Sequence, residues 1–283
     1  MMQVEVQGAA RNPLEHLRVD KGVLDLWSNP SRDAERVSQL LLGATVSIVE
    51  EDGAWVRVQG PDTYRGWAER RFLAEWPNPP SHALAVPFVE VRRAGRHDSP
   101  LVLRLPFGAG LAVERAEGGW SRAFCGTGCS GWVDSETITE PRKYDEPVLA
   151  AVDFALTMLG TPYLWGGSST FGFDCSGLVQ CAYGRSGVVL RRDADQQRLD
   201  PRFELVNRDE LRAGDLLFFG TEERIGHVAM QIGAQSFVHA AGGDGTIVTE
   251  WGDPRFTPGF VDARRLRREF RSEPVTRWED PAR

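Results

Sequence analysis

The feature that most constrains this chain is a pattern of short strands and tryptophans that occurs twice. Between about residues 17 and 76, Val46-Ser47-Ile48-Val49, Trp55-Val56-Arg57-Val58 and Gly66-Trp67-Ala68 are β-branched or aromatic runs separated by glycines and acidic turns. Such runs favour strands, because branched and aromatic side chains pack well on a pleated surface. The same order returns in Leu111-Ala112-Val113-Glu114, Gly119-Trp120-Ser121-Arg122 and Gly131-Trp132-Val133. Two related small β-barrel modules are therefore expected. The prolines of Trp76-Pro77-Asn78-Pro79-Pro80 separate them, since proline cannot donate to a ladder and holds the chain extended. A second joint, Pro141-Arg142-Lys143-Tyr144-Asp145-Glu146-Pro147, precedes the remainder.

That remainder changes period. From Val148 to Leu159 apolar residues recur at helical spacing up to Gly160-Thr161-Pro162. A second helix is predicted from Cys175 to Tyr183, with Gly184 or Gly187 as its stop. Strands are predicted at about 215–219, 226–232, 236–240 and 246–250. Helices followed by strands indicate an α+β domain. The boundaries follow: a first domain over 1–78 with an N-terminal extension, a second over 81–141, a third over 146–270 and a tail over 271–283. The five arginines between 264 and 271 are diluted by Glu269 and later acids, which reads as a solvated tail.

Composition bounds the function. The 283 residues are 41% hydrophobic, with nine Trp and fourteen Phe, which supports folded cores. A formal net charge of −7 gives no electrostatic reason to expect nucleic acid or an anionic membrane as partner. No apolar run approaches the ~20 residues that span a bilayer. The start, Met1-Met2-Gln3-Val4-Glu5-Val6-Gln7, lacks the basic-then-apolar build of a secretory signal, so a cytoplasmic location is the expectation.

The chemistry concentrates around Cys175. It follows the glycine-rich run Trp165-Gly166-Gly167-Ser168-Ser169-Thr170-Phe171-Gly172-Phe173-Asp174 and opens the second predicted helix. A helix N-terminus carries partial positive charge and favours the thiolate, the nucleophilic form of cysteine. Polar Asp174 and Ser176 flank it, which is unlike a buried structural cysteine. Two histidines follow on successive predicted strands, His227 and His239. A hairpin turn centred near Gly233 would set them opposite one another on one face, with Cβ atoms roughly 5 Å apart. Cys175 is then nucleophile, His227 general base and His239 the residue that orients it. The same three residues could instead ligate zinc, which would need a further ligand or water. Of the other cysteines, Cys181 lies about 120° around the helix from Cys175 and reads as a core residue. Cys125 and Cys129 could be two thiols near a β-turn, a metal-binding pair or a strained hairpin disulfide.

Together with Pro162-Tyr163-Leu164-Trp165-Gly166-Gly167, Ala213-Gly214-Asp215-Leu216-Leu217-Phe218-Phe219, Gly226-His227-Val228 and Val238-His239-Ala240, the Asp174-Cys175-Ser176-Gly177 motif resembles the NlpC-type cell-wall cysteine peptidases. The likeness spans about residues 148–262 and implies a papain-like catalytic domain. The two upstream modules resemble the bacterial SH3-like modules that accompany such domains. The implied reaction is hydrolysis of the γ-D-glutamyl bond to a diamino acid, diaminopimelate or lysine, in peptidoglycan stem peptides, with a role in wall recycling and no cofactor or metal. Permuted relatives that transfer acyl groups place histidine before cysteine, unlike the order here. Arg192-Asp193-Ala194-Asp195-Gln196-Gln197 resembles a further family stretch, with Ala194 in place of a commonly polar serine. The resemblance assigns Asp174, Ser176 and Asp193 to the ammonium of a terminal L-Ala, through acidic and hydroxyl groups, for which an uncovered carboxylate is chemically apt, and Trp165 to the wall of the site. From the first module it implies a tyrosine and a glutamate that close the site, matched by Tyr64 and Glu35. Two other classes stand beside this one: a wall-binding protein with a decayed peptidase, and an amidase or acyltransferase on another substrate.

Overall fold

The structure is a computed structural model that describes residues 16–140 and 146–271. The predicted N-terminal extension, most of the second joint and the tail beyond Arg271 lie outside the described residues. The chain is mostly β, with three α-helices among the described residues.

The first seven strands are β1 (His16–Val19), β2 (Val23–Trp27), β3 (Arg36–Leu41), β4 (Thr45–Asp52), β5 (Trp55–Gln59), β6 (Arg65–Glu69) and β7 (Leu73–Ala74). They form an antiparallel sheet of order β3-β2-β6-β5-β4-β1-β7. The next seven are β8 (His82–Leu84), β9 (Phe88–Arg92), β10 (Leu101–Pro106), β11 (Gly110–Glu117), β12 (Trp120–Phe124), β13 (Ser130–Asp134) and β14 (Ile138–Thr139). Their order is β10-β9-β13-β12-β11-β8-β14, the first pattern repeated seven strands later. The repeat seen in the tryptophans is thus a repeat of topology. Closure into barrels is not part of either hydrogen-bonded order. Each sheet turns alternate residues into its own core, Leu24, Leu26, Val56 and Val58 in the first and Val89, Val91, Ala123 and Val133 in the second.

The third part begins with α1 (Pro147–Thr157), then a short hairpin of β15 (Ser168–Ser169) and β16 (Gly172–Phe173), then α2 (Cys175–Arg185) and α3 (Ala194–Arg198). Gly184 lies inside α2, and Ser186 caps it before Gly187 turns with φ 89°. The sheet that follows comprises β17 (Phe203–Val206), β18 (Leu216–Gly220), β19 (Ile225–Gln231), β20 (Ser236–Ala241), β21 (Gly245–Glu250) and β22 (Phe260–Leu266), in the order β17-β22-β18-β19-β20-β21. Strand β22 corrects the reading of the arginine-rich end: residues 264–266 are an inner strand of the sheet. Arg264 pairs with Asp262 at 2.9 Å and Arg265 with Asp215 at 2.7 Å, so both charges have a counterion there. One face of the sheet, with Phe218, Val228, Met230 and Val238, packs on Ala151, Phe154, Leu178 and Ala182 of α1 and α2. The other carries Leu217, Phe219, Ala229 and Phe237 under Trp251, Phe256 and Phe260. No helix among the described residues is long and apolar enough to cross a membrane.

Candidate active site

Helix α2 starts where it does because Asp174, in extended conformation (φ −88°, ψ 179°), caps it by accepting from Gly177 N at 2.7 Å. Such a cap stabilises a helix by about 1 kcal/mol. Cys175 is therefore the first helical residue, and it is half-buried. The backbone N–H groups of Ser176 and of Val228, the neighbour of His227, both act to lower the thiol pKa. The helix-start argument predicts a low thiol pKa; burial instead pushes it up to about 11, reinforced by the Asp174 carboxylate, which outweighs those N–H groups and Arg192.

The histidine pair is built by the β19–β20 hairpin, but in a register other than the predicted one. Met230 pairs with Val238 and Gln231 with Phe237, which centres the turn on Ala234. Extended, this register sets His239 across from Ala229, so the histidines are diagonal neighbours on one face. Imidazoles are long enough to bridge that diagonal: His227 Nε2 lies 2.8 Å from His239 Nδ1, and His239 Nε2 lies 2.8 Å from Thr249 Oγ1 on β21. Around them stand Phe219, Phe237 and Phe256, the last stacked on His227 at 5.7 Å and edge-on to His239 at 4.5 Å. Burial in this aromatic surround pushes the His227 pKa down to about 4, against the attraction of Asp174, and that of His239 to about 3, with the His227 and Arg255 charges adding to the effect. Both rings are therefore neutral near pH 7, the state in which His227 Nδ1 can accept a proton.

Asp174 and Ser176 are both engaged by groups of the protein itself. Asp174 is buried, and its Oδ1 accepts from Gly177 N, Ser176 Oγ and Arg192 while its Oδ2 accepts from Gly166 N and Arg192 at 2.5 Å. Five donors leave no uncovered carboxylate for a substrate ammonium. The Ser176 hydroxyl is likewise taken, donating to Asp174 and accepting from Arg192 at 2.8 Å. The sequence reading passed over Arg192 as a member of a motif; its guanidinium is 1% exposed and also reaches Ser38 Oγ of the first module at 3.1 Å.

Asp193 differs from Asp174. It occupies the N-cap position of α3 without capping it, and its side chain is half-buried, with one bond from Gln196 Nε2 at 3.2 Å. Burial raises its pKa. Tyr64 lies within its electrostatic reach: burial and then Asp193 push the phenol up to about 12, with Asp62 and Asp174 adding to this. The charge of Asp193 on the third module is thus felt at Tyr64 of the first. Glu35 and Trp165 also meet, with Trp165 Nε1 donating to Glu35 Oε1 at 2.7 Å while the indole remains 61% exposed. Glu35 sits in the β2–β3 loop.

Tyr163 is a residue that sequence reasoning quoted without a role. It bridges Phe173 beside the Asp174–Cys175 turn, and burial followed by the nearness of Cys175 pushes its phenol up to about 12. Cys181 packs against the core and donates to Ser168 O at 3.1 Å. Cys125 and Cys129 are free thiols on a turn closed by Cys125 N to Cys129 O at 3.0 Å.

A family model described as the NlpC/P60 family matches residues 160–265, and one described as a bacterial SH3 domain matches residues 22–74. Dipeptidyl-peptidase 6 of Lysinibacillus sphaericus is 30% identical over 239 residues, 77% of this chain and 84% of that protein. The gamma-D-glutamyl-L-lysine dipeptidyl-peptidase of Bacillus subtilis is 30% identical over 218 residues, 72% of this chain and 71% of that one. Its namesake from Bacillus cereus is 28% identical over 280 residues, 90% of this chain and 81% of that one. Among solved structures, an NlpC/P60 family protein from Bacillus cereus shares the fold with a TM-score of 0.78 at 21% identity, over 89% of this chain and 99% of its own.

Proposed function

This chain belongs to the NlpC/P60 family of cysteine peptidases, and on that footing we propose that it hydrolyses the amide between the γ-carboxyl of D-glutamate and a diamino acid in peptidoglycan stem peptides. Its substrates are soluble peptides with a free N-terminal L-alanine, its product is the dipeptide L-Ala-D-Glu, and its role is wall recycling. Cys175 Sγ attacks the γ-carbonyl as its proton passes to His227 Nδ1, the nitrogen left over because Nε2 is tied to His239. The tetrahedral adduct collapses, the C–N bond breaks, and the diamino acid leaves with the proton returned by His227. Water, deprotonated by His227, then cleaves the thioester. The backbone N–H of Cys175 and the Tyr163 phenol are the donors assigned to the oxyanion. Asp193 is assigned to the L-Ala ammonium, with Tyr64 and the Glu35–Trp165 pair as walls that leave no room for a glycan on that nitrogen. Both β modules are read as SH3-like, the first serving the site rather than a wall polymer.

The observation that carries this reading is the hydrogen bond between His227 Nε2 and His239 Nδ1 at 2.8 Å, on a sheet that packs against α2, the helix that Cys175 opens. Mass spectrometry of products from synthetic L-Ala-γ-D-Glu-diaminopimelate and L-Ala-γ-D-Glu-L-Lys tests it. Release of L-Ala-D-Glu and the free diamino acid is expected, and cleavage of the L-Ala–D-Glu bond alone would refute it. Greater turnover of one tripeptide names the preferred diamino acid.

A further inference from the structure

The chain of hydrogen bonds at the site does not stop at His239. Thr249 is 4% exposed and stands opposite Phe237 on the neighbouring strand, so its hydroxyl reaches His239 Nε2 along the diagonal, at 2.8 Å. Two proton arrangements satisfy the chain. In one, His239 carries its proton on Nε2 and donates to Thr249, leaving Nδ1 to accept from His227 Nε2–H; His227 Nδ1 is then bare. In the other, Thr249 donates to a bare Nε2 and His239 Nδ1–H donates to His227 Nε2. The proton of His227 then sits on Nδ1, where it can accept nothing. A hydroxyl fits both, being donor and acceptor.

Once His227 has taken the thiol proton, both its nitrogens bear hydrogen. Its Nε2–H then needs a bare Nδ1 on His239, which forces the His239 proton onto Nε2 and requires an acceptor there. Among the described residues the bond partner at that nitrogen is Thr249, while Phe237 and Phe256 flank the ring. We propose that Thr249 is a positioning residue, which accepts the His239 Nε2–H, holds His239 in the tautomer that leaves His227 a base, and stabilises the imidazolium formed during attack. An interaction needed more by the charged state than by the resting one acts on kcat rather than on KM. The inference rests on His227 being the base in the proposed reaction.

Thr249→Val keeps the branched shape and removes the hydroxyl; Thr249→Ser keeps the hydroxyl. On the preferred tripeptide, Thr249→Val should lower kcat by about ten- to hundredfold, the usual effect of removing a group that orients a ligating or catalytic histidine, with KM within about twofold. Thr249→Ser should recover most of it. Wild-type kcat in Thr249→Val, or a serine variant as impaired as the valine one, overturns the proposal. A second readout needs no substrate. In protein labelled with ¹⁵N-histidine, with the His239 signals identified by their loss in His239→Asn, the ring should be protonated on Nε2 in the wild type and shift toward Nδ1 in Thr249→Val. Protonation on Nδ1 in the wild type refutes the proposal. If the wild type turns over neither tripeptide, the reaction reading fails while the tautomer measurement still decides this one.

Discussion

The two titrating partners at the site are both held neutral by burial: the thiol is pushed up to about 11 and the base down to about 4. The sign of the pH dependence follows. His227 works only unprotonated, so kcat/KM should be level at neutral pH and fall as pH drops through about 4. A midpoint at the 6.5 of an ordinary imidazole would refute the buried-base description. Stability moves in the same direction. A histidine whose folded-state pKa lies below its unfolded one contributes fully above 6.5, and that contribution is lost as pH falls toward 4. Arg192 governs a different quantity. Replacing it with Met leaves the buried Asp174 carboxylate without its cation, a change that costs about 3–5 kcal/mol when one partner of a buried pair is removed. Urea unfolding of Arg192→Met should show that loss, and a change below about 1 kcal/mol would contradict the role given to the pair.

At the scale of elements, the turn from the glycine-rich loop into α2 depends on close backbone approach. Gly166 has φ 71°, and a Cβ there would run into the backbone oxygen of Arg36 on β3. Gly166→Ala should therefore destabilise by more than about 1 kcal/mol, and it should raise KM more than it lowers kcat, because the strain falls on Trp165 and the first module rather than on the thiol. Unchanged melting and unchanged KM would count against this. The strands of the histidine hairpin were legible from their apolar alternation, yet their register was not. A turn of several residues admits pairings centred on Gly233 or Ala234, and only long-range packing selects one. Strand β22 escaped notice for a related reason: its arginines look solvated in sequence, and the acidic partner of Arg265, Asp215, is 50 residues away.

For the whole molecule, the first module is welded to the third around the nucleophile turn. Gln39 Oε1 accepts from Ser168 N and Ser169 Oγ, each at 3.1 Å, Arg192 reaches Ser38, and Glu35 holds Trp165. The second module joins through Thr170 Oγ1 to Pro87 O at 2.7 Å and the Phe107–Phe154 ring contact at 4.6 Å. A site walled by two modules should discriminate at the N-terminus of its peptide. Acetylating the L-Ala nitrogen removes the charge that Asp193 would meet, and kcat/KM should fall about 10–100-fold, the value of a charge-assisted hydrogen bond. Equal rates on free and acetylated tripeptides would dispose of the ammonium site while leaving the catalytic assignment untouched. Tyr64→Ala should raise KM for the free peptide, yet iodoacetamide should still label Cys175; loss of labelling would mean that Tyr64 supports the fold of the site instead.

What the sequence determined by itself is whatever depends on neighbours in the chain. The capped start of α2 at Asp174-Cys175, the doubled strand pattern and the alternation that puts His227 and His239 on one face are all set within a few residues. What only the tertiary structure decided is which polar groups remain free to act. Asp174, Ser176 and Asp193 are alike in sequence as candidates for an ammonium, but Arg192 bonds to the first two, while the third has a single bond from Gln196. The physical reason is that a carboxylate or hydroxyl has few bonding sites, and burial obliges each to be filled by whatever donor the fold brings near. Local sequence specifies the groups, and packing across 18 to 154 positions of chain determines their partners.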